Sequence, residues 1–196
     1  MKKYAMENEV PIIKDEGLSF LLDIINKTKP KYILEIGSAI LYSASLMALN
    51  SEAEIFTIER DEKMISVAKK NLEILELQNR ITLIEGDALE TFDEVKDIKF
   101  DLIFIDAAKA QYEKFFNLYT PLLNKGGVVV SDNLIFHGLV GTDTSNYSRS
   151  LRGLIRKIES YREFLKNNKD FDTTLYDNVG DGMGVSYKLW KNLNIF

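Results

Sequence analysis

The sequence contains no cysteine. A disulfide framework, a thiolate metal site and a cysteine nucleophile are therefore all excluded. A reducing compartment, the cytoplasm, is the expectation that follows. There is one histidine, His137, so no site can rest on two imidazole ligands. Proline is scarce. Pro11, Pro30 and Pro121 each fall between periodic segments, and none marks a linker. With no low-complexity stretch and no internal repeat, one domain over residues 1–196 is expected. No run approaches the ~20 apolar residues of a membrane span. The opening M-K-K-Y-A-M-E-N-E has no apolar stretch, so a signal peptide is not expected either. Twenty-five basic against thirty acidic residues give a net charge of −5, so any contact with nucleic acid must use a local patch. What the chain does have is 196 residues, 45% of them apolar. At that size folding buries roughly 70% of the unfolded surface without staples.

Short apolar runs alternate with amphipathic ones. Residues 32–36, 55–59, 81–85, 100–105 and 128–130 read as buried strands. Helices are expected over about 15–28, 40–50, 61–77, 111–123 and 146–168. Gly126-Gly127 reads as a turn into the fifth strand. Two late strands, about 172–179 and 183–190, flank Gly180-Asp181-Gly182, a strong hairpin signal. The alternation predicts an α/β fold: a mostly parallel sheet with helices on both faces and an antiparallel hairpin at one edge. Ligands in such sheets bind outside the carboxyl ends of the strands.

The residues just after each strand are therefore the candidates. Gly37 follows the first strand and allows a tight turn into a helix N-terminus, although a plain strand–helix turn would use it equally. The G-x-G-x-x-G pattern is missing, which counts against a nicotinamide or flavin dinucleotide. Glu59 follows the second strand, twenty-two residues beyond Gly37. A carboxylate there can accept hydrogen bonds from both hydroxyls of a ribose, or simply be solvated beside Arg60 and Asp61. After the third strand, Asp87 can bond an adenine amine with the Ala88 backbone near the ring, or cap a helix starting near Ala88. Asp106 ends the fourth strand and Asp132-Asn133 the fifth. Three oxygen-bearing side chains at adjacent strand ends suit one hard cation, magnesium or manganese, with positions left open to a substrate. A simple Asp-Asn turn is the alternative.

Together these residues resemble the S-adenosylmethionine-dependent, divalent-metal-dependent O-methyltransferases of the catechol and caffeoyl-CoA type. The most specific segments are L-E-I-G-S-A at 34–39, F-I-D-A-A-K at 104–109, V-S-D-N at 130–133 and G-D-G-M-G-V-S at 180–186. The similarity runs from Val10 to the terminal hairpin and is greatest to small bacterial members that methylate 5-hydroxyuridine in tRNA. It implies a Rossmann-like class I methyltransferase with a seven-stranded sheet. It implies that Ile13, Gly37 and Ser43 meet the methionine part of the cofactor, Glu59 the ribose, and Asp87 with Ala88 the adenine. Asp106, Asp132 and Asn133 match the metal ligands, with Asp106 also next to the cofactor. Lys109 matches the lysine that assists deprotonation of the acceptor, and Tyr112 is expected to line the site. A homodimer is implied as well.

Two departures stand out. Leu41 occupies the place of a second glycine, which predicts a bulky side chain at the cofactor's amino-acid end and, if φ is positive, roughly 1–2 kcal/mol of strain. Family members also commonly carry extra helical sequence before the segment matching Tyr4-Ala5.

The acceptor is left open between a tRNA base and a small catechol or phenol, both with two adjacent oxygens. A binding protein with impaired cofactor use is a third possibility, suggested by Leu41. One feature favours RNA. Helix 149–169 carries Arg149, Arg152, Arg156, Lys157, Arg162, Lys166 and Lys169 against Glu159 and Glu163, a local charge of +5. The alternative is a solvated helix face. The loop from Phe136 to Gly141 before it is a candidate lid. Phe136 or Tyr147 could stack on a base. Trp190 and the strand phenylalanines read as core, and His137 as a polar loop residue or a substrate contact.

Overall fold

The computed structural model describes residues 1–190. Seven strands form one sheet: β1 (Tyr32–Ile36), β2 (Glu54–Glu59), β3 (Ile81–Glu85), β4 (Phe100–Ile105), β5 (Leu123–Ser131), β6 (Phe171–Tyr176) and β7 (Met183–Lys188). Their spatial order is β3-β2-β1-β4-β5-β7-β6. β1 to β5 pair in parallel, while β7 runs antiparallel to both β5 and β6. The expected Rossmann-like sheet with a terminal hairpin is present. Strand order reverses between β1 and β4, and a crevice opens at such a switch point.

Among the described residues six α-helices accompany the sheet: α1 (Lys2–Glu7), α2 (Asp15–Thr28), α3 (Tyr42–Leu49), α4 (Glu62–Ile74), α5 (Tyr112–Tyr119) and α6 (Arg149–Asn167). The period-two alternation of the strands divides the core into two layers. Ile33, Ile55, Leu102, Phe104, Val128 and Val130 face α2 and α3, meeting Leu21, Ile25, Ala44 and Met47. Leu34, Ile36, Ile58, Ile103, Ile105 and Val129 face α5 and α6, meeting Tyr112, Phe116, Tyr161 and Leu165. The helix starts are locally encoded. Asp61 accepts from the Lys63 and Met64 N–H groups at α4, and Ser148 from Leu151 at α6. Among the described residues no helix is long and apolar enough to cross a membrane.

The structure corrects several expected elements. Gly126 and Gly127 lie inside β5 rather than before it. The ladder with β4 accommodates them through a shift in register between Phe100 and Leu102, and Gly126 supplies a φ of +74°. No helix follows Asp87; residues 88–90 form a turn, and a 3₁₀ turn comes later at Phe92–Glu94. α5 ends at Tyr119, where a 3₁₀ turn containing Pro121 takes over. α1 was not expected. Trp190 is not core: it is 70% exposed, with the Lys125 ammonium 6.0 Å from its ring.

Candidate active site

The carboxyl ends of β1, β2, β3, β4 and β5 open onto one cleft of about 710 Å³. Ile13, Gly37, Ser43, Glu59, Asp87, Ala88, Asp106, Lys109, Asp132 and Asn133 all line it. These residues are spread over about 120 positions of the sequence, and the parallel sheet brings them to one edge. The strand ladder continues past the strand ends and fixes the turns: Gly37 N–H bonds Ile58 O at 2.9 Å, Asp106 N–H bonds Ile36 O at 3.0 Å, and Asp132 N–H bonds Ile105 O at 3.1 Å.

At the β1 end, Gly37 has φ +98°, and a Cβ there would run into the Asp106 carbonyl. This position needs glycine for both reasons. Glu59 is half-buried. One carboxylate oxygen accepts from Ala39 N–H at 2.8 Å, and the other from Arg60 and Asp61 N–H, both at 2.9 Å. These bonds aim Glu59 across the Gly37 turn, and its remaining lone pairs can take ribose hydroxyls. Asp87 is held by Leu89 N–H at 2.9 Å and by the Arg60 guanidinium at 2.9 Å, contacts that keep its carboxyl below the usual range. Arg60, not anticipated from the sequence, thus borders the cleft beside Asp87.

Leu41 has a positive φ, +72°, the condition under which strain is expected there. Its side chain, however, is fully buried in the α2–α3 core layer and is absent from the cleft wall. The expected obstruction does not occur, because the left-handed backbone turns the side chain away from the cofactor side. Leu41→Gly should therefore leave S-adenosylmethionine affinity unchanged in calorimetry. It relieves about 1–2 kcal/mol of strain but removes a buried leucine worth about 2–5 kcal/mol. The variant should melt lower than wild type.

Beneath this turn, Glu35 is fully buried. Thr57 donates its hydroxyl to one carboxyl oxygen at 2.5 Å. Burial pushes the Glu35 carboxyl up to about 7, while the Ser43 and Thr57 hydroxyls pull the other way. The folded state therefore keeps a proton that the unfolded chain releases near pH 4.5, and stability falls as pH rises from there to 7. Glu35→Gln should gain stability over wild type by roughly 2–3 kcal/mol at pH 8 and little at pH 4. Urea midpoints at the two pH values check this, and an equal difference at both would contradict it.

At the other end of the cleft lie the oxygen-bearing residues. Asp132 is buried, and Asp106 is half-buried in the cleft wall. Burial raises both carboxyls, Asp132 to about 7, and the charge of Asp106 adds to the rise at Asp132. Asn133 sits at φ +64°; its amide nitrogen donates to Asp106 at 3.1 Å and its backbone N–H to Asp132 at 2.7 Å. Two carboxylates desolvated beside each other, with an amide between, are the donor set a hard cation neutralises, and the residues fit that group. Among the described residues no cluster of three or more His, Cys, Asp or Glu side chains could hold a metal; here the third donor is an asparagine. Tyr112 does not line the cleft as expected. It is buried behind it, with its hydroxyl donating to the Asp132 carbonyl at 2.9 Å. Lys14, Phe115 and Asp181 are among the further residues that reach the cleft unanticipated in this role.

A family model described as O-methyltransferase matches residues 1–189. The chain belongs to the O-methyltransferase family. It is 30% identical to the catechol O-methyltransferase of Niastella koreensis over 176 residues, covering 85% of this chain and 77% of that protein. It is 25% identical to the caffeoyl-CoA O-methyltransferase of Populus kitakamiensis, covering 96% and 82%. Among solved structures, a Staphylococcus aureus protein provisionally named a caffeoyl-CoA O-methyltransferase superposes with a TM-score of 0.91 at 42% identity, covering 95% of this chain and 90% of that one. The O-methyltransferase of Bacillus cereus, solved with SAH, superposes at 0.82 with 25% identity, covering 95% and 87%. This O-methyltransferase is thus an S-adenosylmethionine-dependent enzyme of the catechol and caffeoyl-CoA type. With Leu41 turned into the core, nothing on the cleft wall supports a degenerate cofactor site.

Proposed function

We propose that this O-methyltransferase works with a divalent cation, magnesium or manganese, on an acceptor carrying two neighbouring oxygens, and that 5-hydroxyuridine in tRNA is that acceptor. The observation that carries the metal-dependent reading is the pair of desolvated carboxyls, Asp106 and Asp132, joined by Asn133 at the ends of β4 and β5. A cation held by these three would orient both acceptor oxygens and lower the pKa of the attacking hydroxyl. Gly37, Ser43 and Ile13 would border the methionine end of S-adenosylmethionine, with Glu59 on the ribose and Asp87 with Ala88 on the adenine. Lys109, in the 3₁₀ turn Lys109–Gln111 next to Asp106, would take or stabilise the proton leaving the acceptor. Much of the rate would come from holding the oxygen close to the sulfonium methyl.

The RNA reading is supported by α6 and the loop before it. Arg149, Arg156 and Lys157 are exposed on this helix. Arg162 is not available to a phosphate, because it grips Asp177 through two bonds of 2.7 and 3.0 Å. The patch is therefore smaller than the composition suggested, with Arg149, Arg156 and Lys157 along the first half of α6.

The test is methyl transfer, with magnesium, to an anticodon stem–loop carrying 5-hydroxyuridine, to the same RNA carrying uridine, and to catechol. The 5-hydroxyuridine RNA is expected to be used at least ~10-fold more efficiently than catechol, with uridine RNA inert. Preference for catechol would overturn the RNA reading and keep the metal-dependent one.

A further inference from the structure

The hairpin turn between β6 and β7 reaches across the molecule and wedges between two walls of the cleft. A Cβ on Gly182 would lie 2.7 Å from the Ile135 nitrogen, and one on Gly180 would lie 3.2 Å from the Gly17 backbone. Between these glycines sits Asp181, 3% exposed and bordering the cleft. Its Oδ1 accepts from His137 N–H at 2.8 Å and lies 3.4 Å from Lys14 Nζ. Among the described residues its buried Oδ2 has no hydrogen-bond partner; it lies 3.4 Å from His137 Nδ1.

The segment Asp181 holds is strained. Phe136 and His137 have φ of +43° and +55°, followed by Gly138 at +76°. Two consecutive side-chain-bearing residues in the left-handed region persist only where their surroundings over-determine them. Three bonds from the hairpin turn do so: Leu134 N–H to Gly182 O at 2.9 Å, Ile135 N–H to Asp181 O at 2.9 Å, and the His137 bond to the carboxylate. This loop starts directly after Asp132-Asn133 and brings Phe136 and His137 to the cleft, where the Lys109 ammonium lies 5.9 Å from the Phe136 ring. Lys14 brings the opposite wall, next to Ile13, to the same carboxylate.

We infer that Asp181 is a positioning residue for the acceptor. One buried carboxylate ties the loop after the Asp132-Asn133 pair to the segment before α2, and so sets the shape of the acceptor end of the cleft. The inference rests on the reading that this end holds the acceptor. Among the described residues Gly37, Ser43, Glu59 and Asp87, at the methionine and adenine ends, share no hydrogen bond with the hairpin turn; of the residues proposed for those ends, only Ile13 adjoins it, through Lys14.

The experiment compares wild type, Asp181→Asn and Asp181→Ala by amide hydrogen exchange, by S-adenosylmethionine calorimetry and by acceptor KM. The acceptor is whichever of the stem–loop RNA or catechol the wild type methylates. A neutral amide oxygen still accepts from His137 but more weakly than a carboxylate. Exchange at His137 should quicken about 3–10-fold in Asp181→Asn and at least ~30-fold in Asp181→Ala, with the Ile58 amide in β2 unchanged. S-adenosylmethionine affinity should stay within about 3-fold, while acceptor KM rises at least ~10-fold in Asp181→Ala and less in Asp181→Asn. Unchanged His137 exchange, or cofactor affinity falling as far as acceptor affinity, would overturn the inference. If Asp181→Ala does not fold, the His137 exchange of Asp181→Asn decides alone. If wild type methylates neither acceptor, the proposed acceptor fails, and exchange with calorimetry still decides whether Asp181 holds the loop.

Discussion

Replacing Asp132 by asparagine should abolish methyl transfer and, in metal-free buffer, make the protein more stable. Both effects have one cause. Burial and the neighbouring Asp106 push the Asp132 carboxyl up to about 7. At pH 8 the folded state therefore carries a charge that is disfavoured relative to the unfolded chain. Stability falls as pH rises from the ordinary aspartate range near 4 towards 7. Asparagine removes the charge and keeps an oxygen for the Asn133 N–H. A gain of roughly 1–3 kcal/mol is expected, or a rise of about 2–4 °C in melting temperature per kcal/mol. Activity should fall more than ~100-fold, because one of the proposed metal ligands has lost its charge. Added magnesium should stabilise wild type and not the variant, narrowing the gap. Thermal unfolding with and without magnesium, beside methyl-transfer rates, measures all of this. An active variant, or one less stable without metal, would contradict it.

Gly37→Ala should have the largest effect on the cofactor. At φ +98° an alanine is strained by about 1–2 kcal/mol. Its Cβ would also overlap the Asp106 carbonyl, which is backbone and cannot swing aside. Overpacking of this kind costs about 1–3 kcal/mol. The β1 turn must then open, or Asp106 must move. Either displaces the Glu59 carboxylate, an acceptor for ribose hydroxyls, together with the start of α3 at the cleft. S-adenosylmethionine affinity is expected to drop at least ~100-fold in calorimetry, with a lower melting temperature. Near wild-type affinity would show that the turn is not the cofactor platform.

Elements whose ends carry a chemical stop were legible in the sequence. β1 runs to Gly37, β3 to Gly86, and α2 to the residues before Pro30, and all three come out at the expected residues. β5 was misread because a double glycine is a local breaker signal, whereas pairing with β4 is a long-range gain that carries the strand through it. α1 has six residues, too few to show a period. Leu41 was read by its chemistry alone. The direction of its side chain depends on a left-handed backbone that no local pattern displays. The candidate site was legible wherever it lies directly at a strand end, since a parallel sheet brings those positions together. Asp181 was read only as part of a turn. Its contact with His137 joins residues 44 apart in sequence, and its contact with Lys14 joins residues 167 apart. Tyr112 failed in the opposite sense: it is near the site but supports Asp132 from behind.

The most direct test of the account is methyl transfer from S-adenosylmethionine to an acceptor with two adjacent oxygens, measured after treatment with a chelator and again after magnesium is restored. Transfer is expected to fall to background in chelator and to return with the metal, while S-adenosylmethionine still binds. Full transfer in the continued presence of chelator would show that Asp106, Asp132 and Asn133 do their work without a cation.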